Sequence, residues 1–205
     1  MTIDTPTDDM ADDLTALLGS RICHDLISPI GAIANGVELL GMSVQGGSAE
    51  MALISESVAA ANARIRFFRV AFGLASAGQM IGMAELLSIT DDLSRGSRTR
   101  ICWSSGASLP RDSAKAIFLA LLCLETAMPW GGDVTITAEQ GSWSVTGKAP
   151  RLKSDTALWR ALADGVTPDT LSAAQIQFGL LNAFARNQKR RIAVQQAEDR
   201  ITISF

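Results

Sequence analysis

The chain has 205 residues, of which 47% are hydrophobic and 19% are charged, and its formal net charge is −3. This length and composition suit one large domain or two small ones with a substantial core. The acidic balance argues against a nucleic-acid-binding protein, which usually carries a basic face, and the chain has no apolar run long enough to cross a membrane. The acidic, polar N-terminus is unlike a signal peptide, so we expect a cytoplasmic protein.

Cysteine and histidine are too sparse to suggest a metal centre. The three cysteines, Cys23, Cys102 and Cys123, form no Cys-x-x-Cys pair, and we expect them to be small buried residues in a reducing compartment. His24 is the only histidine in the chain. A zinc site therefore has few ligands available, and we predict no metal-binding residues.

The first part of the chain predicts two long helices. Residues 1–8 are expected to be disordered, and the first helix runs from Asp9 to Leu40. Glycines in the stretch 41–47 interrupt the helical pattern, and Ser48 has the residue type of an N-cap for the second helix, which runs to about Ala75.

Both helices carry an apolar seam. In the second helix the apolar residues recur at alternating spacings of 3 and 4, which is a heptad pattern. On the first helix the apolar residues lie on one side of a helical wheel. Two antiparallel helices cannot enclose a core alone, so we predict a homodimer in which two hairpins form a four-helix bundle. The seams comprise Leu26, Ile30, Ile33, Val37 and Leu40, then Met51, Ile54, Val58, Ala61, Ile65, Phe68 and Phe72.

A Ser-Ala-Gly-Gln stretch at 76–79 marks a domain boundary, with residues 9–78 as the hairpin domain and 79–205 as a second domain. After it the pattern changes to a mixture of helices and strands, so the predicted fold class is α+β. Pro110 is predicted to occupy the first position of a helix. The predicted helices are 83–95, 110–127, 155–163 and 171–187, and the predicted strands are 99–104, 133–139, 143–148, 191–196 and 200–205.

His24 is the residue that most strongly suggests chemistry. On a helical wheel it lies about 160° from Leu26, on the side opposite the apolar seam. Asp25 follows it, and a neighbouring carboxylate can accept a hydrogen bond from Nδ1–H and leave Nε2 as the nucleophile. Pro29 lies inside the helical pattern, where proline removes a backbone hydrogen bond and costs about 3 kcal/mol. We expect Asp25 and Pro29 to support a reactive His24.

Small and polar residues surround this histidine. Ser28, Gly31 and Asn35 share its side of the helix, and Arg21 flanks it. Short side chains would let a second molecule approach the imidazole closely. We therefore predict that Arg21, Ser28, Gly31 and Asn35 form a surface on which a partner docks.

The stretch from His24 to Ile30, HDLISPI, resembles the H-box of histidine kinases, in which a phosphorylatable histidine precedes an acidic residue and, five residues on, a proline. The wider stretch 17–33 resembles the ChpT-type histidine phosphotransferases of alphaproteobacteria. This resemblance implies a dimeric hairpin followed by an α/β sandwich like a degenerate histidine-kinase ATP-binding domain. It also implies a relay from a hybrid histidine kinase to response regulators of the CtrA type, controlling the cell cycle or motility.

The residues that would bind ATP in such a domain are missing from the matching places. The helix 118–127 has no asparagine, and its one acidic residue, Glu125, is expected to be a solvated helix-end carboxylate in preference to a metal ligand. The strand at 145–149 lacks the aspartate of the adenine turn. Of the glycine-rich lid only Gly179 remains, which we expect to be a packing residue. The sequence thus predicts no nucleotide binding.

Without ATP, the phosphoryl donor would be an aspartyl phosphate on a receiver domain. Phosphoryl transfer needs mainly positioning and charge neutralisation, and the receiver's own magnesium and lysine can supply the charge, so this chain needs no cofactor of its own. Two alternatives stay open: an ATP-dependent sensor histidine kinase with an atypical nucleotide site, and a non-catalytic dimeric adaptor for response regulators. Arg151 and Lys153 lie either in a solvated loop or in a basic patch that touches an acidic partner.

Overall fold

The computed structural model describes residues 7–42, 48–76, 78–95, 97–104, 108–139, 142–153, 155–168 and 170–205. Its N-terminal part is the predicted helical hairpin, made of α1 (Thr7–Met42) and α2 (Ser48–Ala71). Thr7 and Asp8 belong to α1, although the sequence predicts them to be disordered, and α2 ends before Ala75. Residues 1–6 and most of the predicted break, 43–47, lie outside the described residues.

The seam of each helix divides into two rows. One row is buried or half-buried along the contact between α1 and α2, where a Cβ added to Gly36 would lie 2.6 Å from Cγ1 of Ile54. The other row faces solvent: Ile30, Val37, Met51, Val58 and Ile65 are 41–55% exposed. A single chain therefore leaves Ile30 and Val37 exposed, because two helices cover one row of each helix and leave the other open.

Within the residues that the structure describes, the second domain contains four α-helices, one 3-10 turn and seven strands. The two-residue strands at 80–81 and 109–110 are absent from the prediction, and Pro110 precedes the first residue of its helix, Arg111, instead of occupying that position. The elements are β1 (Met80–Ile81), α3 (Met83–Ser94), β2 (Thr99–Trp103), β3 (Leu109–Pro110), α4 (Arg111–Ala127), β4 (Gly132–Glu139), β5 (Ser142–Lys148), α5 (Thr156–Asp164), a 3-10 turn (Ala173–Gln175), α6 (Ile176–Asn187), β6 (Ala193–Ala197) and β7 (Arg200–Ser204).

The main sheet has the strand order β2-β4-β5-β7-β6, in which β2 and β4 are parallel and the other pairs antiparallel. Alternate residues of its strands, such as Ile136, Val145 and Ile203, are fully buried beneath the helices. The opposite face is polar, with hydroxyl pairs such as Thr146 and Thr202 at 3.0 Å. The domain is therefore a two-layer α/β sandwich with one covered sheet face, as the sequence predicts.

The cysteines differ from the expectation that all three are buried. Cys123 is fully buried on α4, and burial raises the pKa of its thiol well above the ordinary value. Cys23 and Cys102 are exposed. Cys102 lies between the inward-facing residues Ile101 and Trp103 of β2, so it is on the polar face of the sheet. Cys23 lies on the solvent-exposed side of α1.

Two cations of α4 hold the end of α2. The Arg111 guanidinium donates hydrogen bonds to the backbone carbonyls of Arg69 and Val70, the latter at 2.8 Å, and the Lys115 ammonium donates to the carbonyl of Gly73 at 3.0 Å. The last carbonyls of a helix have no partner within it, so these side chains satisfy them. Burial lowers the pKa of both Arg111 and Lys115. This cap ties the hairpin to the sandwich.

None of the helices described is both long and apolar enough to cross a bilayer.

Candidate functional site

His24 stands on the solvent side of α1, as the helical wheel predicts. Its side chain is 83% exposed, and its Nδ1 lies 3.2 Å from Oδ1 of Asp25. In the tautomer that carries the proton on Nδ1, the imidazole donates to Asp25 and Nε2 keeps its lone pair. The geometry therefore suits a nucleophile at Nε2 that is open to a second molecule.

Pro29 lies one turn beyond the histidine and does not interrupt α1, which is helical from Thr7 to Met42. Because proline has no N–H, the carbonyl of Asp25 receives no hydrogen bond from residue 29. The Pro29 ring is half-buried and lines a cleft between the hairpin and the sandwich. Pro29 thus costs α1 one backbone hydrogen bond without ending the helix.

Asp25 is held from its other oxygen by two arginines. Its side chain is only 9% exposed, and Oδ2 accepts a hydrogen bond from Nε of Arg21 at 3.0 Å. Nε of Arg64, on α2, lies 3.7 Å from the same oxygen. The carboxylate therefore has one oxygen toward His24 and the other toward the arginines.

Glu125 completes this cluster from the second domain. Its Oε1 accepts a hydrogen bond from Arg64 at 3.0 Å, and its Oε2 lies 3.5 Å from Nη2 of Arg21. The expectation of a solvated helix-end carboxylate holds only in part: the Glu125 side chain is 41% exposed near the end of α4, but its oxygens face the hairpin arginines. In the part of the chain that the structure describes, no group of three or more His, Cys, Asp or Glu side chains could hold a metal ion.

The predicted docking residues separate into two groups. Ser28, Gly31 and Asn35 are exposed beside His24, and a Cβ added to Gly31 would meet nothing within 4 Å. Arg21 instead has an 11% exposed side chain, which contacts Asp25 and Glu125 and donates to the carbonyl of Ala174 at 3.2 Å. Docking by any of the four stays a prediction, and Arg21 offers little surface for it.

The two helices in which the sequence lacks nucleotide-binding residues, α4 and α6, pack against each other. The amide of Gln177, which is fully buried, donates to Oγ1 of Thr126 at 2.7 Å and to the carbonyl of Leu122 at 3.4 Å. Gly179 lies where a Cβ would come within 2.9 Å of Leu171, so it is a packing residue as expected.

A cleft lies between the hairpin and the sandwich, and an arginine stacks on a tryptophan of the second domain. The cleft has a volume of about 880 Å³ and is lined by Asp25 and Glu125 together with charged residues such as Glu56, Arg66 and Asp92. Arg151 lies with its guanidinium carbon 4.2 Å from the centroid of the Trp130 ring. This stacking is compatible with both interpretations of Arg151 and Lys153, a solvated loop and a basic patch for an acidic partner.

A solvent-facing histidine on a helical hairpin, paired with an acidic neighbour and joined to an α/β sandwich, defines a histidine phosphotransfer class of protein. The family profile described as the histidine phosphotransferase C-terminal domain matches residues 83–200. The chain belongs to this family, which confirms the resemblance drawn from the sequence.

Two relatives support the assignment. Protein phosphotransferase ChpT of Brucella abortus (strain 2308) is 42% identical over 131 residues, which are 62% of this chain and 61% of that protein. The match therefore spans less than two thirds of the relative's length. The solved structure of a bacterial phosphotransferase is 32% identical, with a TM-score of 0.78, and the alignment covers 95% of this chain and 96% of that one. This second match includes the hairpin as well as the sandwich.

Proposed function

We propose that the chain is a histidine phosphotransferase that shuttles phosphoryl groups between aspartates of receiver domains through His24. The observation that carries the proposal is the exposed imidazole with Nδ1 at 3.2 Å from Asp25, because this contact leaves Nε2 as the reactive atom. Membership in the histidine phosphotransferase family supports the same chemistry.

The transfer is a displacement at phosphorus. The Nε2 lone pair of His24 forms a bond to the phosphorus of the receiver's aspartyl phosphate while the bond from phosphorus to the carboxylate oxygen breaks, and that aspartate leaves as a carboxylate. The proton on Nδ1 stays in place, and Asp25 stabilises the positive charge that develops on the ring. In the reverse direction, a carboxylate of a second receiver attacks the phosphohistidine and restores the neutral imidazole.

The partners proposed are the receiver of a hybrid histidine kinase and the receivers of response regulators of the CtrA type. Ser28, Gly31 and Asn35 form the docking surface, since their short side chains let a receiver reach the imidazole. The receiver brings the magnesium and the lysine that neutralise the phosphoryl oxygens, so no cofactor belongs to this chain. The ChpT name of the Brucella abortus relative supports a phosphotransferase in this family.

The proposed transfer does not use ATP. The sequence lacks the asparagine, the adenine-turn aspartate and the glycine-rich lid of the kinase fold, and Gln177 links α6 to α4 by a hydrogen bond. The alternative, an ATP-dependent kinase with an atypical site, would have to bind the nucleotide without those residues.

The active form is proposed to be a homodimer in the cytoplasm. Five apolar side chains of the hairpin, with Ile30 and Val58 among them, form the row that a single chain leaves exposed. A second hairpin packed on this row would give a four-helix bundle. The row combines residues of both helices, which supports a partner that lies along the whole hairpin.

The experiment is a transfer assay with a phosphorylated receiver as donor. The wild type should take up the label, and His24→Ala should take up none while its circular dichroism and sedimentation match the wild type. Arg69→Gln, which removes an exposed cation far along α2, serves as the surface control and should accept label normally. Label on His24→Ala would sink the proposal, and label on the wild type from ATP alone would favour the kinase alternative.

A further inference from the structure

We propose that Glu125 is a positioning residue for His24: from the second domain it holds Arg21 and Arg64, which in turn hold Asp25 against the imidazole. The proposal rests on the proposed function of His24. It goes further by giving the α/β sandwich a direct part in phosphotransfer, as the element that fixes the orientation of the histidine.

The first support is the way the oxygens of Asp25 are divided. Oδ1 lies 3.2 Å from Nδ1 of His24, whereas Oδ2 lies 3.0 Å from Nε of Arg21 and 3.7 Å from Nε of Arg64. A carboxylate held in this way accepts the hydrogen bond from Nδ1–H in one orientation only. The partners of a histidine's second nitrogen select its tautomer, so the arginines act on His24 through Asp25.

The second support is the charge balance of the cluster. Two guanidinium groups and two carboxylates meet at this point, and each arginine lies between Asp25 and Glu125. Guanidinium groups prefer to bind both oxygens of one carboxylate. Without Glu125, Asp25 would be the one carboxylate of the cluster left to both arginines, and bidentate pairing would draw Oδ1 away from the imidazole.

The third support is the origin of the four side chains in three helices. Arg21 and Asp25 come from α1, Arg64 from α2 and Glu125 from α4. Arg21 is fixed further by its hydrogen bond to the carbonyl of Ala174, just before α6. The cluster therefore makes the orientation of His24 on the hairpin depend on the position of the sandwich.

The test uses the single histidine as a spectroscopic probe. In the tag-free protein with 15N-labelled histidine, imidazole signals arise from His24 alone. We expect mainly the Nδ1–H tautomer in the wild type and a shift toward the Nε2–H tautomer in Glu125→Gln. At saturating phosphorylated receiver, Glu125→Gln should lower the transfer rate constant by about 5- to 30-fold, with the half-saturating receiver concentration unchanged.

Glu56→Gln is the matched control, since Glu56 is an exposed carboxylate of the same cleft and lies outside the cluster. It should change neither the tautomer nor the rate. In an Asp25→Asn background, Glu125→Gln should have no further effect, because the effect passes through Asp25. If Glu125→Gln lowers thermal stability, Arg64→Gln is the second variant. It interrupts the same series of contacts from α2 and must produce the same tautomer shift.

Two results would overturn the proposal. One is a Glu125→Gln variant that behaves like Glu56→Gln in both tautomer and rate. The other is a Glu125→Gln effect of undiminished size in the Asp25→Asn background. Either result leaves the role of His24 untouched if His24→Ala still abolishes transfer, whereas label on His24→Ala defeats the proposed function itself.

Discussion

The two domains bury their apolar residues to very different extents. In the sandwich, α4 is almost wholly buried, with Ile117, Phe118 and Leu119 at 0% exposure. In the hairpin, Gly36 is the only buried residue among those of α1 whose burial the structure describes. The core of the sandwich is thus dense and takes in Phe67 and Phe68 from the end of α2, whereas the rest of the hairpin depends on other contacts: the cap at the end of α2, the charged cluster and, as proposed, a second copy.

The sharpest contrast should appear in thiol reactivity. Native protein at pH 8 should react with iodoacetamide at Cys23 and Cys102, while Cys123 should be slower by about 10³-fold or more, because its reaction requires unfolding of the sandwich. Mass spectrometry of peptides gives the rates, and the denatured chain, in which all three react, is the reference. Fast labelling of native Cys123 would contradict a stable core in the sandwich.

Thiol ionisation gives this contrast a pH dependence. Because burial raises the pKa of Cys123 in the folded state, the unfolded chain loses that proton first as the pH rises above the ordinary value of 9.0. The free energy of unfolding should therefore fall more steeply above pH 9 in the wild type than in Cys123→Ala.

The core of the sandwich should respond strongly to truncation. Phe178 is buried and packs edge-on against Trp159, with ring centroids 5.0 Å apart. Phe178→Ala should lower the free energy of unfolding by about 3–5 kcal/mol, because it leaves a cavity. Denaturant titration measures the loss. Trp130→Ala is the aromatic control. Its ring is half-exposed beneath Arg151, so we expect the free energy of unfolding to fall by only about 1 kcal/mol. Equal losses for the two variants would mean that the sandwich core contributes no more to stability than its surface.

The exposed apolar row of the hairpin should control the association of two chains. If a second copy covers Val58, the substitution Val58→Asp buries an unpaired carboxylate and should weaken the dimer on the order of 100-fold, which is about 3 kcal/mol. Sedimentation at micromolar concentrations measures this, and Asn62→Asp, an exposed polar residue of the same helix, is the control. A wild type that sediments as a monomer would remove the proposed homodimer.

The sequence predicts the elements of the sandwich well because long amphipathic or alternating segments carry their own pattern. It misses β1 and β3, since two residues are too few for alternation to appear. It finds both seams, but both rows of a seam share heptad spacing, so the pattern alone does not tell which row the hairpin covers.

The site is predicted only where the information is local. His24, Asp25 and the exposed side of α1 follow from neighbouring residues and a helical wheel. The wheel also places Arg21 beside the histidine, but it gives no sign that the long side chain reaches α4. Glu125 contacts Arg64 across 61 residues of sequence, and no periodicity reports such a pair. Its one signal is a carboxylate that directly follows the apolar stretch 116–124 of α4.

The smallest expected effect concerns the cap that joins the two domains. Arg111→Met removes the donor to the carbonyls of Arg69 and Val70, and we expect a loss of about 2 kcal/mol in the free energy of unfolding because these carbonyls stay buried without a partner. Hydrogen exchange should also quicken in the last turn of α2. Arg69→Gln breaks an exposed ion pair with Glu85 and should cost at most about 1 kcal/mol. Since both arginines lie at the same junction, similar losses would mean that its stability comes from surface charge, and the hairpin would then depend less on the sandwich than the buried cap indicates.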